Sequence, residues 1–165
     1  MIRSPMTYCA QRGMALLVSL VFLLLLTLMG LSSMQSASLQ EKMAGGVALR
    51  NQSFQSAEAA LRVGESAVRR DSYALPVCSG IVQCAPPSES STITAAGFNA
   101  SSGVTWVASG KGFYGVQNIG VSKNAVNVPI NTPATLYRVT AVGIAGHSRS
   151  VVESIYAKYL SLIHI

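Results

Sequence analysis

Hydrophobic side chains fill residues 14–31 (MALLVSLVFLLLLTLMGL) without a single charge. At about 1.5 Å per residue such a helix crosses most of a hydrocarbon core about 30 Å thick. From Leu39 onward the pattern narrows to one face. Leu39, Met43, Val47, the stem of Arg50, Phe54, Ala57, Leu61, Gly64 and Val68 recur in steps of four and three, the spacing of an amphipathic α-helix. Gln40, Lys42, Asn51, Gln52, Gln55, Glu58, Glu65 and Arg69 occupy the opposite, polar face. No proline falls between Pro5 and Pro76, so the pattern predicts one helix from Met14 to Arg70, on the order of 85 Å long. Gly30 and Gly45-Gly46 cost about 1 kcal/mol each relative to Ala, and curvature or local melting is expected there.

After Arg70 the chain turns to Gly, Ser, Thr, Asn and Pro with alternating apolar residues. Residues 104–107 and 112–116 read as strands, and 135–143 with 150–157 as a hairpin, because residues 144–148 form a short connector containing Gly146. A turn centred near Ala145-Gly146 sets Arg138 opposite Glu153, a cross-strand pair worth about 0.2–1 kcal/mol. The expected fold class is α+β: a long N-terminal α-helix packed on a small antiparallel β-sheet of three or four strands. Trp106, Phe113 and Tyr114 are expected to be buried against the helix stripe, the other reading being an exposed adhesive patch. Residues 85–102 read as a surface loop, either a partner-binding loop or a plain connector.

Composition adds little chemistry. The 165 residues are 50% hydrophobic and only 11% charged, with 12 basic and 6 acidic side chains giving a net charge of +6. The surplus is scattered, only Arg69 and Arg70 are adjacent, and no basic stretch alternates with aromatics, so nucleic-acid binding is not expected. Arg3 and Arg12 precede the apolar run, as the positive-inside rule favours. No catalytic set is visible: His147 and His164 stand apart from any nucleophile pattern, Gly110-Lys111-Gly112 is too short for a phosphate loop, and Glu58 and Glu65 fall on the polar face. No enzyme activity and no cofactor are expected.

The segment QRGMALLV at residues 11–18 resembles the type III signal of prepilins. The later VFLLLLTLMGLSSMQSASLQEKMAG and RNQSFQSAEAALRVGE are similar to PilX-type minor pilins of type IV pili. The resemblance covers residues 11–65; beyond them only the general architecture agrees. It implies a leader at residues 1–13 cut after Gly13, methylation of Met14, a membrane and assembly helix over 14–34, an amphipathic helix over 35–70 and a periplasmic sheet domain over 71–159. It further implies residence in the bacterial inner membrane and the pilus. The implied partners are other minor pilins and the major pilin through the N-terminal helix, the prepilin peptidase, and a tip adhesin. One position departs from the family: the fifth mature residue, usually Glu, is Val18 here. A carboxylate in lipid costs about 2.5–3.5 kcal/mol and needs a partner, which in the family is a neighbouring subunit's terminal amine. A subunit with Val18 offers none, which suits a place at or near the filament tip.

With Cys9 in the leader, Cys78 and Cys84 remain, six residues apart. In the oxidising compartment outside the inner membrane they are expected to form a disulfide; two thiols plus the distant His147 make no recognisable metal set. Residues 160–165 read LSLIHI, which resembles a translated sequencing adapter, so these six are expected to be artefactual and the native C-terminus missing. The competing identities are a tip-type pseudopilin of type II secretion and a signal-anchored periplasmic adhesion or binding domain. A cleavable export signal cut near Ala37 is a further alternative.

Overall fold

A computed structural model describes residues 12–159. The leader through Gln11, with Cys9, and the LSLIHI end lie outside the described residues. Helix α1 runs from Arg12 to Arg69, followed by a five-residue helix α2 (Gly80–Cys84), a 3₁₀ turn (Ser88–Ser91) and strands β1 (Gly97–Phe98), β2 (Thr105–Ser109), β3 (Gly112–Ser122), β4 (Ala134–Ala145) and β5 (Ser148–Lys158). The strands form one antiparallel meander in the order β1-β2-β3-β4-β5. The α+β arrangement holds: a long N-terminal helix packed on an antiparallel sheet. The sheet has five strands rather than three or four, and β3 runs six residues beyond the expected 112–116. The two-residue β1 carries too little alternation to be legible.

The chain divides into two compact units at Gly45/Gly46. In the first, every described side chain from Met14 to Gly45 is exposed. Leu39 and Met43, placed in the buried stripe by their spacing, belong to this exposed stretch.

In the second unit the sheet is the middle of three layers. Residues 46–69 of α1 cover one face, where Val68, Val116, Tyr137 and Val139 are buried with Leu61, Tyr73 and Tyr114 against them. The segment after α2 covers the other, where Val104, Trp106 and Val142 are buried with Ile93, Phe113 and Ile144. The buried stripe of α1 is Ser53, Ala57, Ala60, Gly64, Ala67 and Val68, spaced for one helical face. This corrects the expected stripe at three places: Phe54 is 47% exposed and Ser53 takes its buried position, while Val47 and Arg50 are exposed. The cause lies in the sheet. Gly112 and Gly143 are paired across β3 and β4; a Cβ on Gly143 would collide with the backbone of α1 at Ser53 and Ala57, and one on Gly112 would meet the Val142 carbonyl and lie 3.3 Å from the Ser56 carbonyl of α1. Gly64 repays the approach from the helix side: its Cβ would come within 2.6 Å of Val139. A contact this close admits only small residues.

Two-residue turns join β2 to β3 and β4 to β5. Ser109 pairs with Gly112 across Gly110-Lys111, so this glycine–lysine–glycine run is a hairpin turn. Ala145 pairs with Ser148, which centres the second turn on Gly146-His147, one residue later than expected. Gly146 takes φ +56° and is the residue type that tolerates it. The later turn moves every pairing by two: Arg138 lies opposite Ile155, and Glu153 opposite Thr140. Because the shift is even, Arg138 and Glu153 stay on one face and meet diagonally, with Arg138 Nε 3.0 Å from Glu153 Oε1.

Candidate functional site

The apolar first unit is the feature that demands an explanation. Met14–Arg69 contains a stretch long and apolar enough to cross a membrane, and none of its large side chains is covered: Met14, Val18, Phe22, Leu25 and Met29 all stand exposed. Water is a poor solvent for such a surface, at roughly 25 cal/mol per Å² of apolar area. Lipid tails or the apolar helices of neighbouring subunits would cover it. The polar side chains within the run are already satisfied. Ser19 Oγ donates to the Leu16 carbonyl and Thr27 Oγ1 to the Leu24 carbonyl, each at 2.8 Å, so neither hydroxyl enters an apolar setting unpaired. Gly13 is the second residue of α1, Met14 follows it, and Val18 lies one turn further on. After Arg12, its first residue, no charge enters this helix until Glu41 and Lys42.

In the second unit, Cys78 and Cys84 are joined by a disulfide, their Cα atoms 5.3 Å apart. The closed loop is held by side chains of the sheet. Arg138 Nη1 donates to the Cys84 carbonyl at 2.6 Å, and Gln117 Nε2 donates to the carbonyls of Gln83 and Ala85 at 2.7 and 3.0 Å. Asn118 Nδ2 reaches the Leu75 carbonyl at 2.8 Å, and its own carbonyl accepts the Cys78 N–H at 2.8 Å. Strand β2 pairs with β3 only as far as Tyr114; beyond it, Val77 forms a parallel bridge with Asn118. The loop thus fills an edge of β3 that β2 leaves vacant, and presents Ile81 and Val82 to solvent, 92% and 71% exposed.

The segment expected as a surface loop covers the second core instead. Glu89, on the 3₁₀ turn, accepts Trp106 Nε1 at 3.1 Å and also the Ser102 hydroxyl, while the Ser90 carbonyl accepts Arg149 Nη1 at 3.3 Å. Trp106 is buried, as expected, but on the sheet face away from α1. Phe113 packs beside it, whereas Tyr114 faces the helix. Glu65 is not simply solvated: it accepts the Ser154 hydroxyl at 2.6 Å. Ser53 bonds Ser150 at 2.8 Å and Ser148 at 3.2 Å. Lys158 Nζ donates to the Arg70 and Tyr73 carbonyls at 2.6 and 3.0 Å, placing a cation on the negative end of α1. Burial, with Tyr114 and Tyr137 adding to it, pushes the Tyr73 hydroxyl up to about 12; its ring meets Tyr137 edge-on at 5.8 Å. Among the described residues no group of three or more His, Cys, Asp or Glu side chains could hold a metal ion. The candidate site residues therefore fall into two groups, Gly13, Met14 and Val18 on the first unit and the disulfide on the second.

An apolar N-terminal helix that continues into an amphipathic half packed on an antiparallel meander defines a pilin-like protein. Residues 12–62 match the family model described as PilX N-terminal. That segment is similar to the N-terminal segment of PilX-type type IV pilins, a structural rather than a catalytic family. The match lies wholly within α1. No curated protein and no solved structure matches the chain.

Proposed function

We propose that the chain is the precursor of a minor pilin, anchored in the bacterial inner membrane with its sheet domain in the periplasm. It helps initiate pilus assembly and sits at or near the filament tip. The observation that carries this reading is the PilX N-terminal match placed on a helix whose apolar half is wholly uncovered. In this reading the prepilin peptidase cuts after Gly13, Met14 is methylated, and the apolar half passes from lipid into a filament core of other pilin helices. Both surroundings are apolar, so the transfer is close to neutral in free energy. Val18 supports the tip position, since a subunit without the usual carboxylate cannot neutralise a neighbour's terminal amine. Val18 equally suits a tip-type pseudopilin of type II secretion. The roles are packing and docking, with no enzymatic step and no cofactor; a tip adhesin is the expected outer partner.

The test is the intact mass of the N-terminal peptide from cells with and without a prepilin peptidase. A peptide beginning at methylated Met14, produced only with the peptidase, is the expected result. A Met1 start under both conditions would leave a plain membrane anchor, and a cut near Ala37 an exported domain; either outcome removes the assembly reading.

A further inference from the structure

Among the described residues strand β5 is the outer strand of the sheet, eleven residues long and paired only with β4. Its register with β4 is unbroken from Ala145↔Ser148 to Thr135↔Lys158. In an antiparallel ladder closed by a two-residue turn, the first pair exchanges hydrogen bonds and alternate residues then turn their N–H and C=O groups outward. Those outward groups belong to Arg149, Val151, Glu153, Ile155 and Ala157. Sheets commonly blunt such an edge with proline, a bulge or an inward charge. This strand has no proline and no bulge, and Lys158 at its far end is engaged with the end of α1. Beside its first residues lies an open cleft of about 520 Å³, lined by Arg50, Asn51 and Phe54 of α1 and by Arg149, Ser150 and Val151. Phe54 and Val151 are 47% and 43% exposed there. Among the described residues Arg50 has no carboxylate partner, whereas Arg149, opposite Ile144 on the sheet face away from α1, donates to the Ser90 carbonyl.

We propose that the β5 edge at Arg149–Ile155 is a docking site for an extended acidic segment of another protein chain, which adds as a sixth strand with a carboxylate against Arg50. Backbone pairing supplies the affinity and the Arg50 guanidinium sets the register, as in other strand-addition complexes. Glu153 lies about 13 Å along the strand from Arg149, so the acidic residue sits at the turn end, away from it. The site requires a neighbour but neither pilin processing nor a tip position, and its failure would leave the proposed function untouched.

The test uses the full chain in detergent micelles and a fluorescent octapeptide of alternating Thr and Val with one central Glu. A second peptide carries Lys in place of that Glu. The Glu peptide is expected to bind at least tenfold more tightly and to slow amide exchange at Val151, Glu153 and Ile155. Arg50→Glu, an exposed substitution on α1, should reverse the preference. Val151→Pro, which removes an outward N–H without touching the β4 ladder, should abolish binding and the protection at Glu153 and Ile155. Equal binding of the two peptides, or binding without protection of these amides, would overturn the proposal. So would protection already present without peptide that rises with protein concentration, which would give the edge to a second copy of the chain.

Discussion

Gly143 of β4 lies so close beneath α1 that a Cβ on it would collide with the Ser53 carbonyl and the Ala57 amide. Backbone meets backbone at this point, and neither side can swing away. Gly143→Ala is therefore expected to destabilise the sheet unit by about 3 kcal/mol, the upper part of the range for overpacking. Gly45 and Gly46 have open space around them, and Ala there is expected to be neutral or to stabilise the helix by up to about 1 kcal/mol. Urea denaturation followed by circular dichroism of the three variants separates a packing glycine from a merely helical one. Equal effects at Gly143 and Gly45 would remove the close-approach account.

Periodicity located α1 to within two residues at its N-terminus and one at its C-terminus, because eighteen uncharged residues and an unbroken heptad-like rhythm leave few alternatives. It misplaced the buried stripe by one residue at Ser53 and Phe54. Hydrophobicity alone favours Phe54, but the opposing surface is built from Gly112 and Gly143, and only the folded sheet reveals that the helix must present small side chains. The β4–β5 hairpin was legible from alternation and Gly146, although the turn centre was off by one and Arg138 and Glu153 became diagonal neighbours. The contacts of Glu89, Gln117, Asn118 and Lys158 were not legible. Each joins side chains to groups distant in sequence, and no local pattern announces that a glutamate in a serine-rich stretch will serve a tryptophan seventeen residues away.

Trp106 is the only tryptophan, so its pairing with Glu89 has its own optical probe. Glu89→Ala leaves the buried indole N–H without an acceptor, and an unsatisfied buried donor costs about 1–3 kcal/mol. Glu89→Gln keeps a carbonyl acceptor and should lose less. The expected readout is a lower midpoint of denaturation for the Ala variant, with altered native-state tryptophan emission. An Ala variant as stable as the parent would show that the 3₁₀ turn does not hold the second core.

The disulfide closes a short loop, and its removal through Cys78→Ser with Cys84→Ser is expected to cost about 2 kcal/mol from loop entropy. The docking bonds from Arg138 and Gln117 to residues 83–85 should then loosen. Amide exchange is expected to accelerate in residues 78–85 first, with the β4–β5 ladder unchanged. Uniform acceleration across the sheet would mean that the loop is integral to the core rather than clipped to the β3 edge.

Tyr73 gives the fold an alkaline limit. Its hydroxyl holds its proton up to about 12 in the folded protein and to about 10 in the unfolded chain. The folded state thus binds the proton more tightly: the contribution is fully present below pH 10 and is lost as pH rises towards 12. Stability of the parent should fall through this window more steeply than that of Tyr73→Phe, which has no proton to lose there. Half-burial leaves the effect modest. Parallel curves for the two proteins between pH 10 and 12 would show that Tyr73 is not the titrating group.

On the proposed reading, Val18 marks a tip subunit. Val18→Glu adds a carboxylate that costs about 2.5–3.5 kcal/mol in the bilayer unless a positive partner neutralises it. On the proposed reading the partner inside a filament is a neighbour's terminal amine, so the substituted subunit would gain from having a neighbour where the parent does not need one. The expected outcome is that labelled parent protein marks filament ends, while the Val18→Glu variant is found along the shaft or is retained in the membrane. Immunolabelling of sheared filaments, with membrane levels measured alongside, distinguishes these results. An unchanged distribution at equal membrane levels would show that Val18 does not set the position, and the tip reading would fall while the similarity to PilX-type pilins stood.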